Sequence, residues 1–315
     1  MKNESVAILG AGTMGHSIAL SAAMAQFPVK IWGNSQADIE KAQKDLAGKL
    51  EVLAQEQLFE QAEITKIKES INFDLSMEEV LKDASFVIEA VPEVLTLKQE
   101  LYQNLEKICG ESVVLASNTS GLSPTEISAL MVHPERMVVT HFWNPAHLIP
   151  LVEVVRGEKT NNQTIERAMN LMKAMKKKPI EVKKDVAGFI GNRIQYAIFR
   201  EAQHLLETGV ASVEDIDTAV EYSIGRRLAV TGPFATADMG GLDVFDNISN
   251  YLFADLADDK RSLATMSQLV EDGKYGQKNG AGFYDWTPEF SEMMNKAREK
   301  ELIEWLKKDL ILNQL

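Results

Sequence analysis

Short apolar runs and longer mixed stretches alternate along the first half of the chain. Val6-Ala7-Ile8-Leu9, Val29–Trp32, Ser85–Val91, Val113–Ala116 and Met137–Thr140 are of strand length and mostly apolar. Runs without polar alternation predict strands covered on both faces. Between them, Thr13–Ala25, Ala37–Gln57 and Leu95–Ile108 have helical composition, and Ser123-Pro124 supplies a cap and a first-turn proline for a further helix. Alternation at this spacing predicts a mainly parallel sheet with helices on both faces. Leu151–Val155 and Pro179–Val182 are the last strand candidates. Past Lys183-Lys184-Asp185 the texture changes, and helical stretches dominate over 189–207, 213–222 and 242–271. Residues 289–315 carry Phe290, Met293, Met294, Ala297, Ile303, Leu306 and Leu310 at the spacing of one amphipathic helix. The fold class expected is α/β: a Rossmann-type doubly wound sheet followed by an all-helical second domain. The expected division is 1–184, then 185–286, then a helical C-terminal extension over 287–315.

Charge and composition narrow the partners. Thirty-three basic against 46 acidic residues give a net charge of −13, which disfavours nucleic acid. No apolar run reaches membrane-spanning length, and Met1–Ser5 leads into a strand-like run with no room for a signal sequence. A soluble, cytoplasmic protein is expected. The single cysteine, Cys109, excludes an internal disulfide and a cysteine-built metal cluster; no metal is expected. Lys176-Lys177-Lys178 reads as a solvated helix end.

Gly10-Ala11-Gly12-Thr13-Met14-Gly15 matches G-x-G-x-x-G, directly after a strand and at the start of a helix. In that context the first glycine permits the turn, the second lets backbone approach a pyrophosphate, and the third lets helix and strand close. The carboxylate that usually ends the second strand and binds a ribose is absent: Gly33 stands there, followed by Asn34. Asn34 or Ser35 is left to bond the ribose. NAD is the expected cofactor, with NADP left open.

Hydride chemistry on an alcohol also needs a base. His141 emerges at the C-terminal end of a strand, where open parallel sheets bind ligands. Glu153, a lone acid in the apolar run Leu151–Val155, is either its partner or a solvent-facing residue on an edge strand. Ser117-Asn118-Thr119-Ser120 forms a second polar cluster after a strand, and Asn192-Arg193 lies at the domain junction.

Taken in order, G-A-G-T-M-G at 10–15, S-N-T-S at 117–120, H-F-W-N-P at 141–145, L-V-E-V at 151–154, G-F-I-G-N-R at 188–193, G-P-F at 232–234 and G-F-Y-D-W at 282–286 resemble the 3-hydroxyacyl-CoA dehydrogenase family. The resemblance implies oxidation of an L-3-hydroxyacyl-CoA, such as 3-hydroxybutyryl-CoA, to the ketone, as in fatty acid metabolism. His141 would be the base and Glu153 its orienting carboxylate. Ser120 and Asn192 would bind the substrate oxygen, and Glu93, Lys98, Asn144 and Lys278 would lie near the cofactor. It also implies a homodimer. The segment 146–150 is instead similar to relatives that oxidise free hydroxy acids such as L-carnitine and L-gulonate, and only Lys41, Lys44 and Lys49 are candidates for a CoA 3′-phosphate. A non-catalytic nucleotide-binding or structural relative is the third reading.

Overall fold

The computed structural model describes residues 4–312. Contacts divide it into two units. One takes in the chain up to Asn192 together with the segment from Ala297 onward; the other is Arg193–Lys296.

The first unit is built on β1 (Val6–Leu9), α1 (Thr13–Met24), β2 (Val29–Trp32), α2 (Gln36–Gln55), α3 (Gln61–Glu69), β3 (Ile71–Asp74), α4 (Met77–Leu81), β4 (Phe86–Glu89), α5 (Leu95–Ile108), β5 (Val114–Ser117), α6 (Pro124–Ile127), β6 (Met137–Phe142), β7 (Leu151–Val155), α7 (Asn162–Ala174) and β8 (Lys178–Val182). The strands form one sheet in the order β3-β2-β1-β4-β5-β6-β7-β8. Strand order reverses at β1, whose neighbours β2 and β4 both run parallel to it. That switch point opens a crevice at the carboxyl ends of the strands, where such sheets take their ligands. Among the described strands of this sheet the β6–β7 pairing alone is antiparallel, so β7 runs back toward the opposite end of the sheet.

β1, β4, β5 and β6 are buried throughout, as continuous apolar runs demand. The sheet's edges are polar or broken: β3 exposes Asn72 and Asp74, and β8 carries Pro179. Both features blunt an edge against further pairing. β3 went unread in the sequence because Ile71 is its one buried residue. α1 is buried from Gly15 to Ala23, and its small residues let it lie close on the strands. Burying each large aliphatic side chain of this core contributes about 1.5–3 kcal/mol.

The second unit contains most of α8 (Gly191–Glu207), then α9 (Val213–Ala219), α10 (Gly225–Leu228), α11 (Pro233–Gly240), α12 (Leu242–Leu252), α13 (Ala264–Glu271) and the first turns of α14 (Pro288–Leu312). No residue of α8–α13 is buried. Phe234 is 87% exposed and Met239 78%. From Ala297 onward α14 belongs to the first unit, where Ile303 and Leu306 join the core beside α1 and α2.

Candidate active site

The phosphate turn has the geometry its sequence requires. Gly10 has φ +114°, and a Cβ there would stand 2.7 Å from the Ala90 carbonyl oxygen. A Cβ on Gly15 would fall 1.8 Å from the Gly10 oxygen, so strand turn and helix touch at that point. Gly12 faces open space and caps α1 with no side-chain bond. The first turn of α1, from Thr13 and Met14, therefore begins with amides free to meet an anion, reinforced by the helix dipole. These residues fit a dinucleotide's pyrophosphate. Gly33 lies buried at the end of β2, and a Cβ would meet Ile39 Cγ1 at 2.4 Å. The buried Ile39 side chain thus occupies the place of the missing acid, while Asn34 is exposed beside it.

Across the crevice two carboxylates lie wholly buried, each with a cation-forming partner. His141 is in β6 itself, one residue before its end, and faces Glu153 in the antiparallel register of β7. Its Nδ1 lies 2.8 Å from Glu153 Oε2. β7 is flanked by β6 and β8, so Glu153 is an interior residue and not the solvent-facing edge position. Trp143 Nε1 donates to the same oxygen at 3.2 Å. The amides of Ile190 and Gly191 donate to Oε1 at 2.8 and 3.0 Å. Those amides open α8, so the carboxylate sits at a helix N-terminus. A turn with left-handed Gly188 and Phe189 (φ +73° and +51°) aims them. Such a φ is strained for a bulky residue; Phe189 holds it while buried against the His141 ring at 5.6 Å between centroids. Burial pushes the Glu153 carboxyl up, but the bonds from His141, Gly191 and Ile190 outweigh it and hold the group below its ordinary range.

The second carboxylate is Glu89, at the end of β4. It accepts from Lys98 Nζ at 2.5 Å, Ser117 Oγ at 2.7 Å and the Val91 amide at 2.8 Å. Here burial prevails over those bonds and the carboxyl is pushed up. Lys98 also pairs with Glu93 at 3.2 Å. Glu93 in turn accepts from the Thr119 hydroxyl and, at 2.9 Å, from the Ser120 amide. Lys98 is therefore buried between two carboxylates, and its contact with the Ser120 loop runs through Glu93.

Ser120 is exposed at the crevice, and its carbonyl accepts from Asn192 Nδ2 at 3.1 Å. Asn118 Oδ1 accepts the Phe142 amide at 2.9 Å, tying the β5 loop to the strand of His141. Asn144 is exposed just past that strand. The fold thus joins His141 to Glu153, and Ser120 to Asn192 and Glu93. Lys278 belongs to the second unit, where it lines an apolar cavity of about 520 Å³ with Phe199, Phe283 and Trp286.

His147 stands apart from this group. It is 2% exposed and its Nδ1 bonds Ser17 Oγ at 2.9 Å. Burial lowers it to about 3, so it is neutral. Lys177 corrects the solvated reading of the lysine run: it is buried and donates to the carbonyls of Ala146 and Ile149, clamping the 145–150 loop. Among the described residues no three or more histidine, cysteine, aspartate or glutamate side chains gather to hold a metal, and no helix is long and apolar enough to cross a membrane. The sequence reading placed Ser117 in the polar cluster after β5 but gave no role to Trp143, Phe189 or Glu89. Glu89 alone left a signal, a lone acid in the run Phe86–Val91, of the kind that marked Glu153.

Known proteins resemble this chain in sequence and fold. Residues 5–186 match the NAD binding domain of 3-hydroxyacyl-CoA dehydrogenase, and residues 188–286 match its C-terminal domain. The chain is 36% identical over 301 residues to 5-formyl-3-hydroxy-2-methylpyridine 4-carboxylate 5-dehydrogenase of Mesorhizobium japonicum, covering 95% of this chain and 96% of that one. It is 35% identical over 287 residues to a probable 3-hydroxybutyryl-CoA dehydrogenase of Bacillus subtilis, covering 91% and 98%. A crystal structure of the pyridine carboxylate 5-dehydrogenase, described as an NAD+ dependent dismutase, superposes with a TM-score of 0.90 at 35% identity, covering 97% of this chain and 98% of that one. The chain belongs to the 3-hydroxyacyl-CoA dehydrogenase family of NAD-dependent oxidoreductases, with NAD as its cofactor.

Proposed function

We propose that the chain interconverts the 3-hydroxyl of a short L-3-hydroxyacyl-CoA, such as 3-hydroxybutyryl-CoA, and the corresponding ketone. The observation that carries this reading is the His141–Glu153 pair at 2.8 Å, held inside the sheet at the ligand-binding end of β6. His141 Nε2, which has no partner among the described residues, takes the hydroxyl proton. Glu153 holds Nδ1–H, fixes the tautomer and stabilises the imidazolium. Ser120 and Asn192 bond the substrate oxygen and orient the reacting carbon. NAD, when bound, supplies the hydride acceptor. Gly10, Gly12 and Gly15 with Ala11, Thr13 and Met14 form its phosphate cradle. Asn34 serves the ribose, and Glu93, Lys98 and Asn144 complete its surroundings, Lys98 acting through Glu93.

A second reading has a compact free acid as substrate. The full-length match supports it: the pyridine carboxylate dehydrogenase aligns over 95% of this chain, whereas the B. subtilis relative aligns over 91%.

We assign the division 1–184, 185–286 and 287–315 to cofactor binding, substrate and dimer contacts, and an extension. The occupant proposed for the exposed apolar faces of α8–α13 is a second copy of the chain, because helices without one buried residue have no core of their own. The working compartment is the cytoplasm and the metabolic setting fatty acid breakdown or synthesis.

The deciding experiment is NADH formation by the purified chain with L-3-hydroxybutyryl-CoA, against L-carnitine, L-gulonate and a hydroxymethylpyridine carboxylate. Thioester turnover is expected. Turnover of free acids alone overturns the thioester claim and keeps the His141 mechanism. NAD binding without any turnover overturns both in favour of a non-catalytic relative.

A further inference from the structure

Glu153 serves two rings at once. Trp143, two residues beyond His141, donates its indole N–H to the oxygen that faces His141 Nδ1. The two rings lie 5.6 Å apart at 52°. The benzo edge of the indole stands against the start of α8, where a Cβ on Gly191 would fall 2.3 Å from Trp143 Cζ2. A phenyl ring would keep part of this packing, but it has no donor for the carboxylate.

We infer that Trp143 is a positioning residue: its N–H bond to Glu153 weakens that carboxylate's hold on the His141 imidazolium, so the base is free at lower pH than it would be beside an unshared carboxylate. This rests on the reading of His141 as the base. A carboxylate oxygen bonded by two donors is less basic than one bonded by a single donor, so each competing N–H takes negative charge away from the imidazolium. Among the described residues, four donors face the carboxylate. Oε1 takes the Ile190 and Gly191 amides and Oε2 takes Trp143 and His141. Phe189 closes the other side of the imidazole. Among the described residues His141 is the titratable side chain that contacts Glu153. Of the four donors, the indole is the one supplied by a replaceable side chain other than the base.

The test uses the full-length chain and Trp143→Phe, with His141→Gln to assign the His141 resonance among five histidines. The midpoint of His141 is read from its imidazole Cε1 resonance by NMR, without substrate. The expected result is a midpoint higher in Trp143→Phe by roughly 0.3–1 pH unit, the size of one hydrogen bond partly expressed in an equilibrium. The acid limb of kcat/KM should move up equally, with KM little changed. Gly191→Ala, whose added Cβ displaces the indole, should shift the midpoint in the same direction. Equal midpoints in wild type and Trp143→Phe overturn the inference, as does a lower one. Absence of turnover by the wild type would sink only the functional reading, because the NMR midpoint needs no substrate.

Discussion

Glu153 and Glu89 are both 0% exposed, both stand within the sheet and both face a side chain that can carry positive charge. Their surroundings move the two carboxyls in opposite directions from the ordinary range, Glu89 up and Glu153 down. Glu153 receives four N–H groups, two of them from the start of a helix. Glu89 receives an ammonium, one amide and a hydroxyl. Burial opposes the charge in both cases; it weighs more heavily on Glu89, which lies deeper, whereas on Glu153 the bonds from His141, Gly191 and Ile190 prevail. The partners differ as well. The imidazole of His141 keeps one nitrogen without a partner among the described residues, whereas the Lys98 ammonium is shared between Glu89 and Glu93. The proposed function gives the first pair a proton to transfer; the second braces, through Glu93, the loop that carries Ser120.

The largest expected effect separates those roles. Gln at position 141 can still donate to Glu153 but cannot accept a proton. Turnover of His141→Gln should fall by roughly 10²–10⁴-fold, with NAD affinity and the urea midpoint near wild type. If His147→Gln proves as damaging to turnover, the base has been assigned to the wrong imidazole.

Lys98→Met should do the reverse. It strips a buried carboxylate of its cation, which costs about 3–5 kcal/mol, read as a lower urea midpoint at neutral pH. The double variant Glu89→Gln/Lys98→Met leaves no lone charge and should regain much of that loss. A single variant as stable as wild type would show that water reaches Glu89, and the contrast between the two pairs would fail.

Much of this was legible because the chemistry is written in local runs. Glycine spacing after a strand marks the phosphate turn, and continuous apolar runs mark β1, β4, β5 and β6. Each of the lone acids Glu89 and Glu153 interrupts such a run. What escaped the sequence arises between distant segments. Nothing near residue 153 announces that Ile190 and Gly191 will aim their amides at it, because that depends on a left-handed Phe189 held in place by His141. Trp143 reads as one more apolar residue until the antiparallel register of β6 and β7 brings its indole to Glu153. Lys177 reads as surface within a lysine run, yet the carbonyls of Ala146 and Ile149 draw it inside. β3 has too little buried surface to leave an apolar signature.

The smallest effect sharpens the comparison through pH. A carboxyl raised by folding binds its proton more tightly in the native state than in the unfolded one. Glu89 therefore contributes stability that is fully present below the ordinary carboxylate range and is lost as pH rises through its elevated native value. For Glu153, which is depressed, the contribution is present above the ordinary range and is lost as pH falls through its native value. Ser117→Ala removes one donor from Glu89, and with it the acceptor of the Thr119 amide. The cost should be about 1–3 kcal/mol where Glu89 is ionised, because a bond to a charged group is lost. It should shrink on acidification, as a protonated carboxyl needs that donor less. Urea midpoints of wild type and Ser117→Ala should therefore converge as pH drops from neutral toward the carboxylate range. A gap that stays constant over that range would mean that Ser117 supports the loop and not the charge, and that Glu89 is not held apart from Glu153 by its ionisation.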